Sequence, residues 1–179
     1  MQDSQLNGAG GMACIQDRLS RRIVNGLGFL ACIAGLGFAV YAQFVLKLEP
    51  CPLCIFQRVA LLAVGLVFLA AALHNPRSWG VWSYAGLLGL SNVAGAAIAA
   101  RHVWLQHLPP DEVPRCGPGL DYMLQAFPLN EVIRDVLTGS GECAKIDWTL
   151  LGLSMPWWTL LLFIGLGVFG LMGNLWLRR

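Results

Sequence analysis

Four long apolar stretches, separated by polar segments, dominate this chain of 179 residues. They cover residues 23–46, 55–73, 78–100 and 157–177. At about 1.5 Å of rise per helical residue, each stretch is long enough to cross the hydrocarbon core of a bilayer, which is about 30 Å thick. The pattern therefore predicts an all-α membrane protein in which four transmembrane helices form a single domain over residues 23–177.

Polar segments connect the predicted spans on one side of the bundle, at residues 47–54 and 101–156. In the longer loop, apolar residues recur at helical spacing over about ten residues. They are Leu129, Val132, Ile133, Val136 and Leu137. A helix of that length is too short to span, so we expect it to lie on the membrane surface. Residues 1–22, which include a glycine-rich stretch, are expected to form a flexible cytoplasmic tail.

The composition supports a membrane protein and excludes other classes. Hydrophobic residues make up 56% of the chain and charged residues only 12%, whereas a soluble domain carries roughly 25% charged residues. So high an apolar content also excludes disorder. The net charge is +2 and the chain has no basic patch suited to nucleic acid. The seven tryptophans fall at or near the predicted ends of the spans, as in an aromatic belt.

The distribution of charges predicts the orientation in the membrane. Six arginines fall on the side that holds both termini, with two acidic residues beside them; they are Arg18, Arg21, Arg22, Arg77, Arg178 and Arg179. The loop of residues 101–156 instead carries four cations and seven acids. Because short cytoplasmic segments are enriched in Lys and Arg, we expect both termini in the cytoplasm and the long loop outside.

Under this topology, four of the six cysteines lie on the non-cytoplasmic side, where disulfides persist. They are Cys51, Cys54, Cys116 and Cys143. Cys14 falls in the reducing cytoplasm and Cys32 inside the first span, so we expect both to be passive thiols.

Three roles are open for the four outer cysteines: structural, metal-binding and redox. A bridge between Cys51 and Cys54 closes so small a loop that it would restrain the unfolded chain little, which weakens a purely structural role. A Cys-x-x-Cys pair is also half a zinc site, but Cys116 and Cys143 are 27 positions apart, and we predict no metal site. Redox exchange is the third role, and Cys-x-x-Cys is the spacing of dithiol exchange motifs.

The surroundings of Cys54 favour the redox role. Cys54 stands at the expected N-terminus of the second span, where free amide groups and the helix dipole stabilise a thiolate. Arg58 follows four residues later, on the same helical face. Its guanidinium favours the thiolate further and is suited to donate hydrogen bonds to an oxygen-bearing ligand at membrane depth.

The joint pattern resembles the DsbB family of bacterial inner-membrane disulfide bond formation proteins, over about residues 20–177. The resemblance rests on Cys51-Pro-Leu-Cys54-Ile-Phe-Gln-Arg58 before the second span and on Cys116 and Cys143 in the long loop. It also includes Gly152-Leu-Ser-Met155-Pro-Trp157 entering the fourth span. It implies a four-helix bundle that reoxidises DsbA, a periplasmic thioredoxin-fold dithiol protein, and passes the electrons to membrane quinone, either ubiquinone or menaquinone.

The resemblance also implies a role for each cysteine. Cys116 and Cys143 would form the loop disulfide that the reduced partner attacks, with Cys116 entering the mixed disulfide. Cys143 would then exchange with Cys51 and free Cys54 as a thiolate beside the quinone and Arg58.

Further quinone contacts follow from the same resemblance. Met155 aligns with a family residue near the quinone, and His102 or His107 would serve as the quinone-proximal histidine of some members. Two other functions remain open: a quinone–thiol enzyme similar to vitamin K epoxide reductase, and a non-catalytic scaffold with structural disulfides. In the first, we expect the Cys-x-x-Cys pair on the last span; the second leaves Arg58 without a role.

Overall fold

The computed structural model describes the backbone of residues 3–76, 79–109, 111–114 and 120–176. Within these ranges the side chains are described from Ser20 onward, apart from Asp121 and Trp176.

Four long helices form the body of the described chain. They are α1 (Asp3–Phe44), α2 (Pro52–His74), α3 (Trp79–Leu105) and α6 (Met155–Trp176). Each contains a segment long and apolar enough to cross a membrane, namely Ser20–Phe44, Pro52–His74, Trp79–Leu105 and Met155–Leu175. The predicted class, an all-α bundle with four transmembrane helices, is confirmed.

All four long helices extend beyond the bounds that hydropathy predicts at one end, and α6 begins at Met155 instead of residue 157. The first helix continues back to Asp3 through the segment interpreted as a flexible tail, because a helix, once formed, gains a hydrogen bond for each residue added. The second begins at Pro52 instead of residue 55. The third continues past residue 100 to Leu105, since Arg101 places its guanidinium over the Trp104 ring, 4.2 Å from the centroid. These extensions bring Cys54 and His102 into helices.

The four long helices pack around a core in the middle of the bundle. Contacts are most extensive between α3 and α6 and between α1 and α2. The core consists of Cys32, Leu61, Val64, Phe68, Leu88, Ala99, Phe163 and Leu166. Gly95 on α3 faces the Phe163 ring of α6 so closely that a Cβ atom would clash with it. A small residue at this position therefore permits the close approach of the two helices.

The connection between α3 and α6 folds over one end of the bundle. Its described part contains α4 (Leu120–Ala126), α5 (Leu129–Thr138), a 3-10 turn (Gly141–Ala144) and a hairpin of β1 (Thr149–Leu150) with β2 (Leu153–Ser154). The predicted short amphipathic helix is α5, which buries Val132 and Val136 and leaves Leu129, Ile133 and Leu137 exposed. Its buried residues join a second apolar cluster with Leu53, Leu105, Met123 and Cys143. This cluster fixes the loop against the start of α2.

Candidate active site

The first turn of α2 positions the Cys-x-x-Cys pair. Cys51 is the N-cap residue, in extended conformation, and its Sγ accepts a hydrogen bond from the backbone N–H of Cys54 at 3.4 Å. Pro52 occupies the start of the helix, where its missing N–H costs nothing. Cys54 thus lies at the helix N-terminus, and its Sγ is 3.2 Å from that of Cys51.

Cys143 from the loop contacts this pair. Its thiol interacts with Cys51 and lies near the backbone of Leu53, and its Sγ is 3.7 Å from Oγ of Ser140. The side chain is buried, at 1% exposure, in the apolar cluster that fixes the loop. The hydrogen bond with Cys51, followed by burial, raises the pKa of the Cys143 thiol well above its usual range. Three of the four predicted redox cysteines are therefore in one place.

His102 lies on α3 beside both sulfurs of the pair. Its Nε2 is 3.7 Å from Sγ of Cys51, and its Nδ1 is 4.0 Å from Sγ of Cys54. The ring is buried, and Nδ1 is also 3.1 Å from Nε2 of Gln57, one turn below Cys54 on α2. If the Gln57 amide donates to Nδ1, the hydrogen of the neutral ring is on Nε2 and faces Cys51.

Arg58 points from α2 across to α1. Its Nη1 donates to Oε1 of Gln43 at 2.5 Å, and its Nη2 donates to the backbone carbonyl of Ala39 at 3.1 Å. The guanidinium is also close enough to Cys54 to act on it through its charge. These contacts hold a permanent cation at a fixed place below the cysteine pair.

A cavity of about 580 Å³ opens beside these residues. Its polar lining includes Cys51, Cys54, Gln57, Arg58 and His102. Its apolar lining comes mainly from α1 and α6 and includes Gly35, Leu36, Phe38, Ala39, Leu61, Met155 and Leu162. A volume of several hundred Å³ with apolar walls and a few convergent polar groups is typical of a small-molecule site.

The remaining predicted residues fall in different places. Met155 lines the cavity, at the start of α6. His107 donates from Nδ1 to the Val103 carbonyl at 2.8 Å, and its ring lies edge-on to Trp157. Cys32 is buried in the middle of the bundle, away from the pair. Cys116 lies outside the described residues, as does the side chain of Cys14.

Two polar residues of the site are not predicted from the sequence. Gln57 contacts His102, and Gln43 accepts the hydrogen bond from Arg58. Each is an uncharged amide within or beside an apolar span, and such a residue is costly in lipid unless it finds a partner. A glutamine within or beside an apolar span is therefore the sequence feature that identifies Gln43 and Gln57 as candidate site residues.

Vicinal thiols at a helix N-terminus, a third thiol in contact with them and a lined cavity define a membrane-embedded thiol–disulfide oxidoreductase. Known proteins agree with this class. The profile of the family "Disulfide bond formation protein DsbB" matches residues 21–173. The chain belongs to the DsbB family, and the resemblance stated from the sequence is confirmed.

Individual relatives are similar over most of their length. The disulfide bond formation protein B of Methylococcus capsulatus is 59% identical over 146 residues, which is 82% of this chain and 89% of the relative. The protein of the same name from Hahella chejuensis is 54% identical over 161 residues, 90% of this chain and 96% of the relative. The chain is therefore a bacterial membrane protein and a disulfide-forming oxidoreductase.

Proposed function

We propose that this protein reoxidises a periplasmic DsbA-like dithiol protein and passes the two electrons to quinone in the bacterial inner membrane. Both termini lie in the cytoplasm and the cysteine pair lies at the periplasmic rim. The charge distribution supports this orientation, because Arg21 and Arg22 hydrogen bond to the backbone of Pro76 and Ala72, at the bundle end opposite to the cysteines.

The first half of the reaction transfers electrons between disulfides. A thiolate of the reduced partner attacks Cys116 of the Cys116–Cys143 disulfide, and the second partner thiol then closes the partner's own disulfide. Cys143, released as a thiolate, attacks Cys51 of the Cys51–Cys54 disulfide. A new Cys51–Cys143 bond forms, the Cys51–Cys54 bond breaks, and Cys54 leaves as a thiolate.

The contact between Cys143 and Cys51 is the observation that carries this proposal. Thiol–disulfide exchange requires the attacking sulfur to reach the sulfur under attack. Cys143 is 92 positions from Cys51 in the sequence, yet the loop buries its thiol in an apolar cluster against which Cys51 packs, and the two thiols interact. A loop that served only as a structural cover would have no reason to bury a free thiol against the pair.

The second half of the reaction transfers two electrons and two protons to quinone, which leaves as quinol. The cavity supports this half because it offers apolar walls for a ring and lies beside Cys54. Arg58 is placed to donate to a quinone oxygen, since Gln43 and Ala39 hold its guanidinium at the cavity wall. Met155 lines the cavity from α6, and His102 lines it beside the sulfurs. Cys116, released when the partner's disulfide closes, attacks Cys143 of the Cys51–Cys143 bond, so the Cys116–Cys143 disulfide forms again and Cys51 leaves as a thiolate. Quinone takes the two electrons from Cys51 and Cys54, whose disulfide then forms again and completes the cycle.

The test is anaerobic mixing of the purified protein, reduced partner and quinone while quinone absorbance is followed. Wild type is expected to reduce quinone in proportion to partner oxidised, and Cys51→Ser and Cys54→Ser to lower the rate at least about 10³-fold, as loss of a nucleophile does. Cys32→Ser is the matched control, because it removes a buried thiol outside the site. Turnover of the Cys51/Cys54 double variant at the wild-type rate would contradict the proposal.

A further inference from the structure

The cysteine pair and His102 form a cluster whose ligand atoms lie within 4.8 Å of one another. Cys143 is the fourth ligand in our proposal. Its thiol interacts with Cys51 but lies outside this group of atoms, so it must move toward the pair when the metal binds. Three thiolates and one imidazole are a common ligand set for zinc. The spacing along the sequence led us to predict no metal site, because it shows only the Cys-x-x-Cys half. The fold supplies the other half from α3 and from the 3-10 turn of the loop.

We propose that the fully reduced protein binds one thiophilic d¹⁰ cation, with Zn²⁺ as the representative, between Cys51, Cys54, Cys143 and His102. This binding goes beyond the electron relay and does not depend on quinone. Bound zinc holds the pair as thiolates and keeps it from being oxidised, so the metal would arrest the protein in its reduced state.

The distances in the cluster fit a tetrahedral centre. With Zn–S bonds of about 2.3 Å and Zn–N bonds of about 2.0–2.1 Å, ligand atoms lie about 3.6–3.8 Å apart. The two sulfurs of the pair are 3.2 Å apart, and Nε2 of His102, the nitrogen proposed to bind, is 3.7 Å from Sγ of Cys51. One ligand atom from each of these three residues lies within 4.8 Å of the other two. Shifts of less than about 1 Å therefore bring these atoms to zinc-binding distances.

The surroundings also suit a cation. Three thiols bind as thiolates and release three protons, which leaves zinc and its four ligands with one negative charge in total. Arg58 lies close enough to offset that charge. When Nε2 of His102 binds the metal, the ring hydrogen is on Nδ1. The Gln57 amide, whose Nε2 is 3.1 Å from Nδ1, then turns over so that its Oε1 accepts this hydrogen and orients the ring, as outer-shell partners of zinc-bound histidines do.

Zinc binding at this site depends on the redox state of Cys51 and Cys54. When Cys51 and Cys54 are joined in a disulfide, their sulfurs are no longer thiolates, and the thiolate is the form that binds a metal. Zinc is therefore expected to bind only the reduced protein. Oxidation of the pair would remove two of the four ligands at once.

The test uses the full chain in detergent micelles, free of quinone, reduced anaerobically and carrying Cys14→Ser to remove a thiol outside the cluster. Competition for Zn²⁺ with a chromophoric chelator gives the stoichiometry and affinity. We expect one zinc per chain. Cys51→Ser, Cys54→Ser or Cys143→Ser should each weaken binding at least about 100-fold, and Gln57→Leu about 10-fold. Co²⁺ in the same site should give thiolate charge-transfer absorption, which Cys51→Ser abolishes.

Matched controls distinguish this cluster from adventitious binding. Cys32→Ser and His107→Gln remove ligand types that lie outside the cluster, and Cys116→Ser removes a thiol that is not among the proposed ligands. All three should leave the affinity unchanged, whereas His102→Gln should weaken it. Bound zinc should also protect Cys51 and Cys54 from alkylation, counted by mass spectrometry, until a chelator is added. Equal binding by wild type and Cys51→Ser, equal binding by the oxidised protein, or loss of binding in Cys116→Ser would overturn the proposal. Because no quinone is present, failure of electron transfer to quinone leaves this test unaffected.

Discussion

The two ends of the bundle differ in how their buried polar groups are paired. At the end near Arg21, Asn25 on α1 and Asn174 on α6 exchange two hydrogen bonds, with Nδ2 of each donating to Oδ1 of the other at 3.0 and 2.9 Å. At the other end, His102 contacts Gln57 at 3.1 Å, and its ring nitrogens also contact the larger sulfur atoms of the cysteine pair at 3.7 and 4.0 Å.

The difference separates groups that hold the helices together from groups that are available to react. The asparagine pair satisfies its own donors, since each amide also donates to a carbonyl of its own helix. The cysteine end instead places thiols, an imidazole and a guanidinium on the wall of a cavity. We therefore expect substitutions at the first end to change stability and substitutions at the second to change activity.

The largest effect is expected from the loop cysteine. Cys143→Ser should lower partner-driven quinone reduction at least about 10³-fold, because the relay loses its connection to Cys51. When a small dithiol replaces the partner, the rate of quinone reduction by this variant should stay within about tenfold of the wild-type rate. Such a reagent reaches the Cys51–Cys54 disulfide directly. Stopped-flow absorbance measures both rates. Equal loss with both reductants would mean that Cys143 is not a relay between loop and pair.

A smaller effect is expected from the cavity cation. Arg58→Gln removes a charged hydrogen-bond donor, worth about 1.5–3 kcal/mol, and should raise the KM for quinone about 10–100-fold. Arg22→Gln is the control, because Arg22 donates to the Ala72 carbonyl at the opposite end. Steady-state kinetics with varied quinone distinguish the two. An unchanged KM in Arg58→Gln would remove this residue from the quinone site.

His102 and His107 lie at and just after the end of α3, so the turnover of their variants can be compared directly. His102→Gln should lower turnover about tenfold, because the ring loses its contacts with Cys51 and Cys54. His107→Gln should leave turnover near wild type, since His107 hydrogen bonds to the backbone of its own helix end. Single-turnover kinetics with reduced partner provide the rates. Equal losses in the two variants would indicate a general disturbance of the end of α3.

The smallest effect is expected from the asparagine pair. Asn25→Leu should lower the free energy of unfolding by about 1 kcal/mol, because it leaves the Asn174 amide without its partner in an apolar environment. The double variant Asn25→Leu/Asn174→Leu should recover part of this loss, because neither amide is then left unpaired. Denaturation in mixed detergent micelles measures stability. Quinone reduction by the folded protein should stay at the wild-type rate in both variants, and a drop in that rate would break the comparison between the two ends.

Hydropathy and charge predict the class of the fold because lipid imposes a simple requirement on helix length and composition. They do not predict where a helix ends at the rim, since a helix continues through charged residues when their side chains find partners. Arg101 is the instructive case: a cation marks the end of an apolar run, yet its guanidinium donates to the Leu137 and Thr138 carbonyls and α3 continues past it.

The sequence predicts the part of the site whose residues are close together along the chain, and not the part that tertiary packing brings in. Cys51, Cys54 and Arg58 are close in the sequence, and helix geometry alone brings them together. Cys143 and His102 reach the same place only through the packing of α5 and the 3-10 turn against α2 and α3, which no local pattern records. Their predicted involvement came from the family resemblance, and the packing explains how their side chains reach the pair.

The most direct test of the central claim is to trap the exchange between loop and pair. In a Cys54→Ser variant, Cys51 stays a thiol because it has no disulfide partner. Its thiolate attacks Cys143 of the Cys116–Cys143 disulfide, Cys116 leaves as a thiolate, and alkylation of Cys116 prevents the reverse exchange. The variant should therefore accumulate a Cys51–Cys143 disulfide, detected by proteolysis and mass spectrometry without reduction. A Cys51 that remains free in this variant, or pairs with Cys32 instead, would contradict the account.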